Sequence, residues 1–431
     1  MRVGVEKRND VDTTTCAIAG GGPAGMVLGL LLARAGVKVT VLEKHADFLR
    51  DFRGDTVHPS TLRLLDELGL ADAFAALPHN RVTRLEFDVP GGEKVVLADY
   101  SMLPGRYPYI AMVPQWDLLN LLADTAKREP GFHLRMNTEV TGPIIDNDKV
   151  VGVRYRTADG ETGELRADLT VAADGRWSSL RASVGLRPRE FTSPIDVWWL
   201  RVSKRDGDSA GGGLSAQITP AGIGLAIDRG DNFQLAYINR KNFDPVIRRE
   251  GVDAFRARFS AMFPALADRS EEIRTLDDVK HLDVRVNRLR RWHVDGLLCI
   301  GDAAHAMSPM GGVGINLAIQ DAVGAATLLA KPLLRHDISA ADLAKVARRR
   351  WPATVVVQAL QRFLQATMTG PLVTGERDGF PKVPQWLFRN IPALRSVPAY
   401  LVAFGPRPEH APAFARPQAV SPGRQGPPRR G

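Results

Sequence analysis

Gly20, Gly22 and Gly25 keep a Gly-x-Gly-x-x-Gly spacing, and a carboxylate follows at Glu43. That pattern can hold a dinucleotide. The first glycine permits a tight turn, the second lets the backbone approach a pyrophosphate, and the third lets a helix pack closely on a strand. Pro23 and Ala24 stand where that helix opens, and its free N–H groups and positive dipole end favour phosphate. Glu43, followed by Lys44, can accept both hydrogen bonds of a ribose diol and disfavours a 2′-phosphate there.

Two more glycine-bearing signatures lie downstream. Ala173-Asp174-Gly175-Arg176-Trp177-Ser178-Ser179-Leu180-Arg181 is the first; its Asp-Gly pair alone also reads as a hairpin turn. Gly301-Asp302-Ala303-Ala304-His305 is the second, and it runs into Pro309-Met310-Gly311-Gly312-Val313-Gly314-Ile315-Asn316. Asp302 falls at the end of the apolar run Gly296–Ile300, where ligands of doubly wound sheets bind, and can bond a ribityl hydroxyl or cap a helix. The glycines before Ile315 open another apolar helix, whose N-terminal N–H groups can stabilise the negative charge of a reduced flavin.

The elements needed to position these residues are legible too. Cys16–Ala19 and Val37–Leu42 read as buried parallel strands, with a buried helix over Met26–Ala35 between them. Period-2 runs such as Arg84–Val89, Asp196–Val202, Leu214–Ile218 and Phe233–Ile238 predict a largely antiparallel sheet. Tyr107, Tyr109, Trp198, Trp199, Gln217 and Tyr237 form the pool from which a substrate pocket there could draw.

In these three motifs the chain resembles the group A FAD-dependent aromatic monooxygenases, the para-hydroxybenzoate hydroxylase-like family, over residues 12–330. The resemblance implies an α/β fold: a Rossmann-like FAD-binding domain of the GR2 type, an inserted and mainly antiparallel β-sheet substrate domain, and C-terminal helices. The expected boundaries are 12–78, 114–187 and 285–330 for the FAD-binding domain and 79–113 with 188–284 for the substrate domain. A helical region over 331–404 and a Pro/Arg-rich tail over 405–431, expected to be disordered, complete the chain.

The resemblance also implies FAD held non-covalently, NADH or NADPH as a transient cosubstrate, and a small aromatic or lipophilic substrate that is hydroxylated with O2. The reactive species would be a flavin C4a-hydroperoxide. Cofactor-binding roles carry over to the residues of the first motif, Glu43, Lys44, Asp174 and Asp302, and to Pro309, Gly312, Gly314, Ile315 and Asn316. Arg53 is placed near FAD and the nicotinamide donor, and Gln115 on the flavin. No catalytic residue is assigned; His58, Tyr109 and Gln217 are the candidates weighed, since an unperturbed histidine titrates near neutral pH. His305 lies inside a cofactor motif and reads as a packing or cofactor-positioning residue. Epoxidation, Baeyer–Villiger oxidation and a non-redox flavoprotein, either a cyclase or a binding protein, remain open on the same frame.

Composition fits this picture. The 431 residues are 44% hydrophobic and 24% charged, as in a globular protein with a sizeable core. Cys16 and Cys299 fall in different predicted strands and read as small buried hydrophobes, which with the lack of a signal peptide points to the cytoplasm. Of the net charge of +9, residues 405–431 with five Arg and one Glu supply +4, so no nucleic-acid interface is expected, nor a metal site. Ala340–Gln365 reads as one or two helices interrupted near Trp351-Pro352, with Arg348-Arg349-Arg350 on a solvated face. The apolar stretch from Trp386 to Val397, flanked by Arg389 and Arg395, fits a packed C-terminal helix or a peripheral membrane contact without a transmembrane segment. Monomer and homodimer are both compatible with the sequence.

Overall fold

The computed structural model of the protein describes residues 12–49, 56–88, 94–208, 214–219, 221–377, 386 and 390–417. Arg53 and Arg389 lie outside the described residues.

A parallel sheet forms the centre of the first half of the fold. Its order is Leu297–Cys299, Thr162–Ala172, Asp12–Ala19, Val39–Leu42, Phe132–Arg135, each pair parallel. His293–Val294 pairs antiparallel at one edge, and Thr138–Asp146 and Lys149–Thr157 extend an antiparallel flap from Thr162–Ala172. Cys16, Ala17, Ile18 and Ala19 are at most 1% exposed, which is why that strand reads as an unbroken apolar run. Burial also pushes the Cys16 and Cys299 thiols well up. Helix Pro23–Arg34 packs against this sheet and against helix Val313–Leu334. The latter passes the length and apolarity test for a membrane span, yet 78% of its apolar window is buried in the protein core.

The second sheet runs Lys280–Leu282, Ile195–Ser203, Asn232–Arg240, Gly222–Asp228, Leu214–Thr219, Arg84–Asp88, Lys94–Asp99. All pairings are antiparallel except Leu214–Thr219 with Arg84–Asp88. Alternation separates the two adjacent tryptophans. Trp198 faces helix Asp244–Met262 with Leu200, Leu235 and Tyr237, whereas Trp199 faces Leu85, Leu214 and the segment carrying Val402.

Two expectations from composition are corrected. Ala340–Leu364 is a single helix that continues through Pro352. Pro352 lies on the exposed face, where an unbonded carbonyl can be hydrated, while Arg350, Ala353 and Thr354 anchor the opposite face in the core. The three consecutive arginines therefore part company: Arg348 is exposed, Arg349 is paired with Glu409, and Arg350 is fully buried.

The second correction concerns the tail. Residues 405–417 pack on the fold as a strap, with Glu409, Ala411 and Ala415 buried. Arg34 Nη1 donates to Ala415 O at 2.7 Å and Ala411 N–H donates to Glu67 Oε2 at 2.6 Å. Small apolar anchors and hydrogen-bond partners from remote residues fix a segment whose composition alone argues against folding. Residues 418–431 lie outside the described part.

Candidate flavin site

Backbone hydrogen bonds draw the three glycine signatures into one row. Gly20 N–H donates to Leu42 O at 2.8 Å, Ala173 N–H to Ala19 O at 2.8 Å, and Ile300 N–H to Ala172 O at 3.0 Å. The carboxyl ends of four adjacent parallel strands thereby carry Glu43, Gly20, Asp174 and Asp302 side by side. Such a row is where open α/β sheets bind ligands.

The first loop is built for close approach. Gly20 has φ +104°, and a Cβ there would overlap the carbonyl oxygen of Ala173. A Cβ on Gly25 would overlap Gly20 O, so the helix packs directly on the turn. A Cβ on Gly22, by contrast, would meet nothing within 4 Å. Gly22 is the N-cap of helix Pro23–Arg34, with no side-chain cap, so the helix N-terminus faces open space. Glu43, 5% exposed, accepts from Gly21 N–H at 2.8 Å and from His45 N–H at 3.1 Å, which fixes its carboxylate beside the turn.

The second and third signatures are tied by arginine. Arg181 is buried and donates through Nη1 to Ala303 O at 3.0 Å and through Nη2 to Arg176 O at 2.9 Å. Arg176 in turn stands 3.8 Å from Asp302, whose side chain is 35% exposed and open to a ligand. Burial raises the Asp174 pKa, against hydrogen bonds from Ser178 and nearby backbone N–H groups. Asp174 Oδ2 accepts from Leu180 N–H at 3.4 Å, while its buried Oδ1 has no partner. An open cradle at Gly22, an uncapped helix start and an orphaned carboxylate oxygen together fit a dinucleotide of the FAD type.

The loop after Pro309 adds a second uncapped helix start. Gly312, φ +63°, is the N-cap of helix Val313–Leu334 and carries no side-chain cap. Pro309, Gly312, Gly314 and Ile315 are half-buried there. Thr56 Oγ1 donates to Gly312 O at 3.1 Å, and Ser60 and Thr61 hydroxyls bond Asn316 Oδ1 at 2.6 and 2.8 Å. The Asn316 side chain is thus committed to helix Pro59–Glu67. Thr56, Ser60 and Thr61 carry no motif, and only the fold reveals that they brace this loop.

His58 departs from its role as an acid–base candidate. It is fully buried, and burial holds its pKa down to about 4 against its bonds to the Val402 and Gly312 backbones. Its neutral ring donates from Nδ1 to Val402 O at 2.9 Å and so fixes helix Ser396–Ala403. His305 is likewise buried, and its Nε2–H donates to Asp321 Oδ2 at 2.5 Å. Asp321 also accepts from Gly301 N–H at 3.1 Å and from Arg350 Nε at 3.1 Å. Burial favours protonation of Asp321, but His305 and Arg350 outweigh it and lower its pKa. Arg350 reaches on to Glu409 at 3.2 Å, so the strap, the long helix and the Gly301-Asp302 turn share one buried network.

The remaining candidates divide by position. Lys44 is exposed; Gln115 is half-buried at the first turn of helix Gln115–Ala126. Tyr109 is half-buried, 4.7 Å beneath the Arg81 guanidinium and edge-on to Tyr107. Gln217 is half-buried in the second sheet opposite Gly224. Trp198 and Tyr237 are core residues at 1% and 3% exposure, whereas Trp199 keeps a buried indole N–H with no partner. A cavity of about 630 Å³ lies by Asp196, Lys241 and His281 rather than at the glycine loops. Lys241 Nζ bonds Asp196 at 2.7 Å and Asp283 at 2.5 Å there, so its ammonium is paired within the cavity wall.

Asp302→Ala separates ligand binding from folding. Loss of one charge-assisted bond, about 1.5–3 kcal/mol, should weaken FAD binding roughly 10- to 100-fold. The flavin-free protein should melt within about 2 °C of wild type, since Asp302 has only a long contact to Arg176. Full FAD occupancy at wild-type affinity in a fluorescence titration would remove Asp302 from the site.

A family model described as "FAD binding domain" matches residues 12–359. The curated 6-methylpretetramide 4-monooxygenase of Streptomyces rimosus is 35% identical over 405 residues, covering 89% of this chain and 91% of that protein. A flavin-dependent monooxygenase of Mycobacteroides abscessus is 29% identical over 72% of this chain, which spans 65% of that protein. Among solved structures, an anhydrotetracycline hydroxylase from Streptomyces rimosus superimposes with a TM-score of 0.71 at 23% identity. That superposition covers 91% of this chain and 76% of the other and establishes a shared fold.

Proposed function

The chain belongs to the FAD binding domain family, and from that premise we propose that it hydroxylates a fused-ring phenol of the aromatic polyketide kind. It is an FAD-dependent monooxygenase of the aromatic hydroxylase type, using NAD(P)H and O2. The likeness to a 6-methylpretetramide monooxygenase carries the substrate class, because it spans 89% of this chain and 91% of that protein, far more than the cofactor motifs alone.

Bound FAD supplies the redox chemistry, taking a hydride from NADH or NADPH and activating dioxygen for insertion into the ring. The protein's own residues orient and seal. Glu43 holds the adenosine ribose, the N-terminus of helix Pro23–Arg34 the pyrophosphate, and Asp302 the ribityl chain. The N-terminus of helix Val313–Leu334 favours negative charge on the flavin ring, where Gln115 also acts. Trp199, Leu214, Met112 and Val402 supply an apolar wall that excludes water from a planar substrate. The unpartnered Trp199 indole N–H is offered to a phenol or quinone oxygen of that substrate.

The test is a panel of phenols, naphthols and linear polycyclic phenols added to the FAD-loaded protein with NAD(P)H. Polycyclic phenols should stimulate nucleotide oxidation most, with hydroxylated product formed in step. A lactone or epoxide product would reassign the reaction. Stimulation only by single-ring phenols would overturn the substrate class.

A further inference from the structure

A number of arginines in this protein are paired with carboxylates: Arg34 with Glu129, Arg84 with Asp99, Arg106 with Asp66, Arg156 with Glu139 and Arg205 with Asp268. One region instead clusters arginines that have no carboxylate partner. A cavity of about 330 Å³ is lined by Arg187, Arg189, Arg290 and Arg291 and by no carboxylate. Among the described residues, none of these four forms an ion pair, nor do the adjacent Arg288 and Arg362. Glu190, next in the chain, instead accepts from Asn287 Nδ2 at 3.0 Å and lines the separate cavity beside Asp196.

Beside the pocket the fold gathers Arg189, one of its lining residues, with Arg288 and Arg362. Strand Arg189–Phe191 pairs antiparallel with Val286–Arg288, in a register that sets Arg189 directly opposite Arg288. Like charges in that position repel and destabilise a strand pair. The Phe191 ring gathers three guanidiniums, from Arg362 at 4.5 Å, Arg288 at 4.7 Å and Arg189 at 5.2 Å. Burial, with the neighbouring Arg189 and Arg362, pushes the Arg288 pKa down. Arg288 and Arg291 are steadied by uncharged partners, Gln358 Oε1 at 3.0 Å and His293 O at 2.9 Å, which orient them without neutralising them.

We propose that this arginine pocket binds a diphosphate group of the kind carried by a nucleoside diphosphate. Guanidinium forks match phosphate oxygens in pairs, and converging forks favour an oligophosphate over a single small anion. The cavity falls at the lower end of the about 300–1,000 Å³ range of small-ligand sites, which suits a diphosphate rather than a nucleic-acid strand. The bound anion would also neutralise the Arg189–Arg288 repulsion and steady the strand pair. The same chemistry could arrive on the nicotinamide cosubstrate or on a free nucleotide. Only that choice of source rests on the monooxygenase reading; the binding site itself does not.

The experiment is calorimetric titration of the FAD-loaded full chain with pyrophosphate and with ADP. Arg187→Gln/Arg290→Gln is compared with Arg348→Gln, an exposed arginine elsewhere that controls for net charge. Wild type and R348Q should bind both ligands saturably, and the double variant about tenfold or more weakly, with flavin absorbance and melting temperature unchanged. Should the double variant lose flavin or fold poorly, Arg291→Gln alone reads the same loss. A raised NADPH KM at unchanged kcat in the double variant assigns the diphosphate to the cosubstrate; an unmoved KM with lost ADP binding assigns it to a free nucleotide. No saturable binding to wild type, or equal weakening in R348Q, overturns the proposal and leaves a diffuse basic surface that any polyanion, nucleic acid included, would feel.

Discussion

Gly25→Val should abolish FAD binding and destabilise the protein even without flavin. A side chain at position 25 would overlap Gly20 O, with Gly20 C at 3.2 Å and Ile18 Cγ2 at 3.3 Å from the added Cβ. None of these is the free end of a flexible side chain. Ala24 through Ala33 are buried, so the helix cannot tilt away without disturbing the contacts behind it. Overpacking of this kind costs about 1–3 kcal/mol and sometimes more. The displaced helix start would also carry its N–H groups away from the phosphates. Gly22→Ala is the informative contrast, because its Cβ would meet no protein atom within 4 Å and its φ of −72° suits alanine. It should leave the apo protein's stability near wild type while weakening FAD. Thermal melting of both apo variants, with FAD titration, checks the pair; stoichiometric FAD in Gly25→Val at wild-type affinity would refute the close-packing argument.

Arg350→Met should cost about 3–5 kcal/mol of stability, the range for removing one partner of a buried ion pair. Arg350 is 0% exposed and bonds Asp321, Glu409, Gln320 Oε1 and Arg407 O. Methionine would leave Asp321 with only His305 and Gly301 N–H, and Glu409 with only Arg349, and would loosen the 405–417 strap. Urea unfolding measures the first effect, and limited proteolysis near the strap the second. The acid limb carries a sign. The Asp321 pKa is lowered in the fold, so its contribution is complete above the unfolded carboxyl value near pH 4 and is lost as pH falls through the lower folded value. The gap between wild type and Arg350→Met should therefore narrow on acidification below about pH 4. A loss under about 1 kcal/mol at neutral pH would mean that the network relaxes without Arg350.

What could be read from the chain was what is local in it. The glycine spacing at 20–25, Glu43 after the second strand and the Gly301-Asp302 turn are each set by neighbours a few residues away. The buried network was illegible for the opposite reason. Asp321, Arg350 and Glu409 are separated by 29 and 59 residues, and nothing at position 350 distinguishes it from the exposed Arg348. Trp198 and Trp199 were equally good pocket candidates until pairing fixed their faces. His58 looked like an acid–base group because its type suggests a pKa near neutrality, whereas its burial lowers it. Residues 405–417 misled by composition, since Ala411 and Ala415 are small and their hydrogen-bond partners lie hundreds of positions earlier.

Those long separations set a timetable for synthesis. Arg34 meets Ala415 381 residues later, and Glu67 meets Ala411 344 residues later. At about 5–20 residues per second, roughly 20–80 s pass on the ribosome before the strap can reach the first helix. The central strand Asp12–Ala19 waits most of that time for Leu297–Cys299, two places along the sheet, to emerge. The nascent amino-terminal half must therefore keep an apolar sheet edge and helix face covered until the last segment arrives.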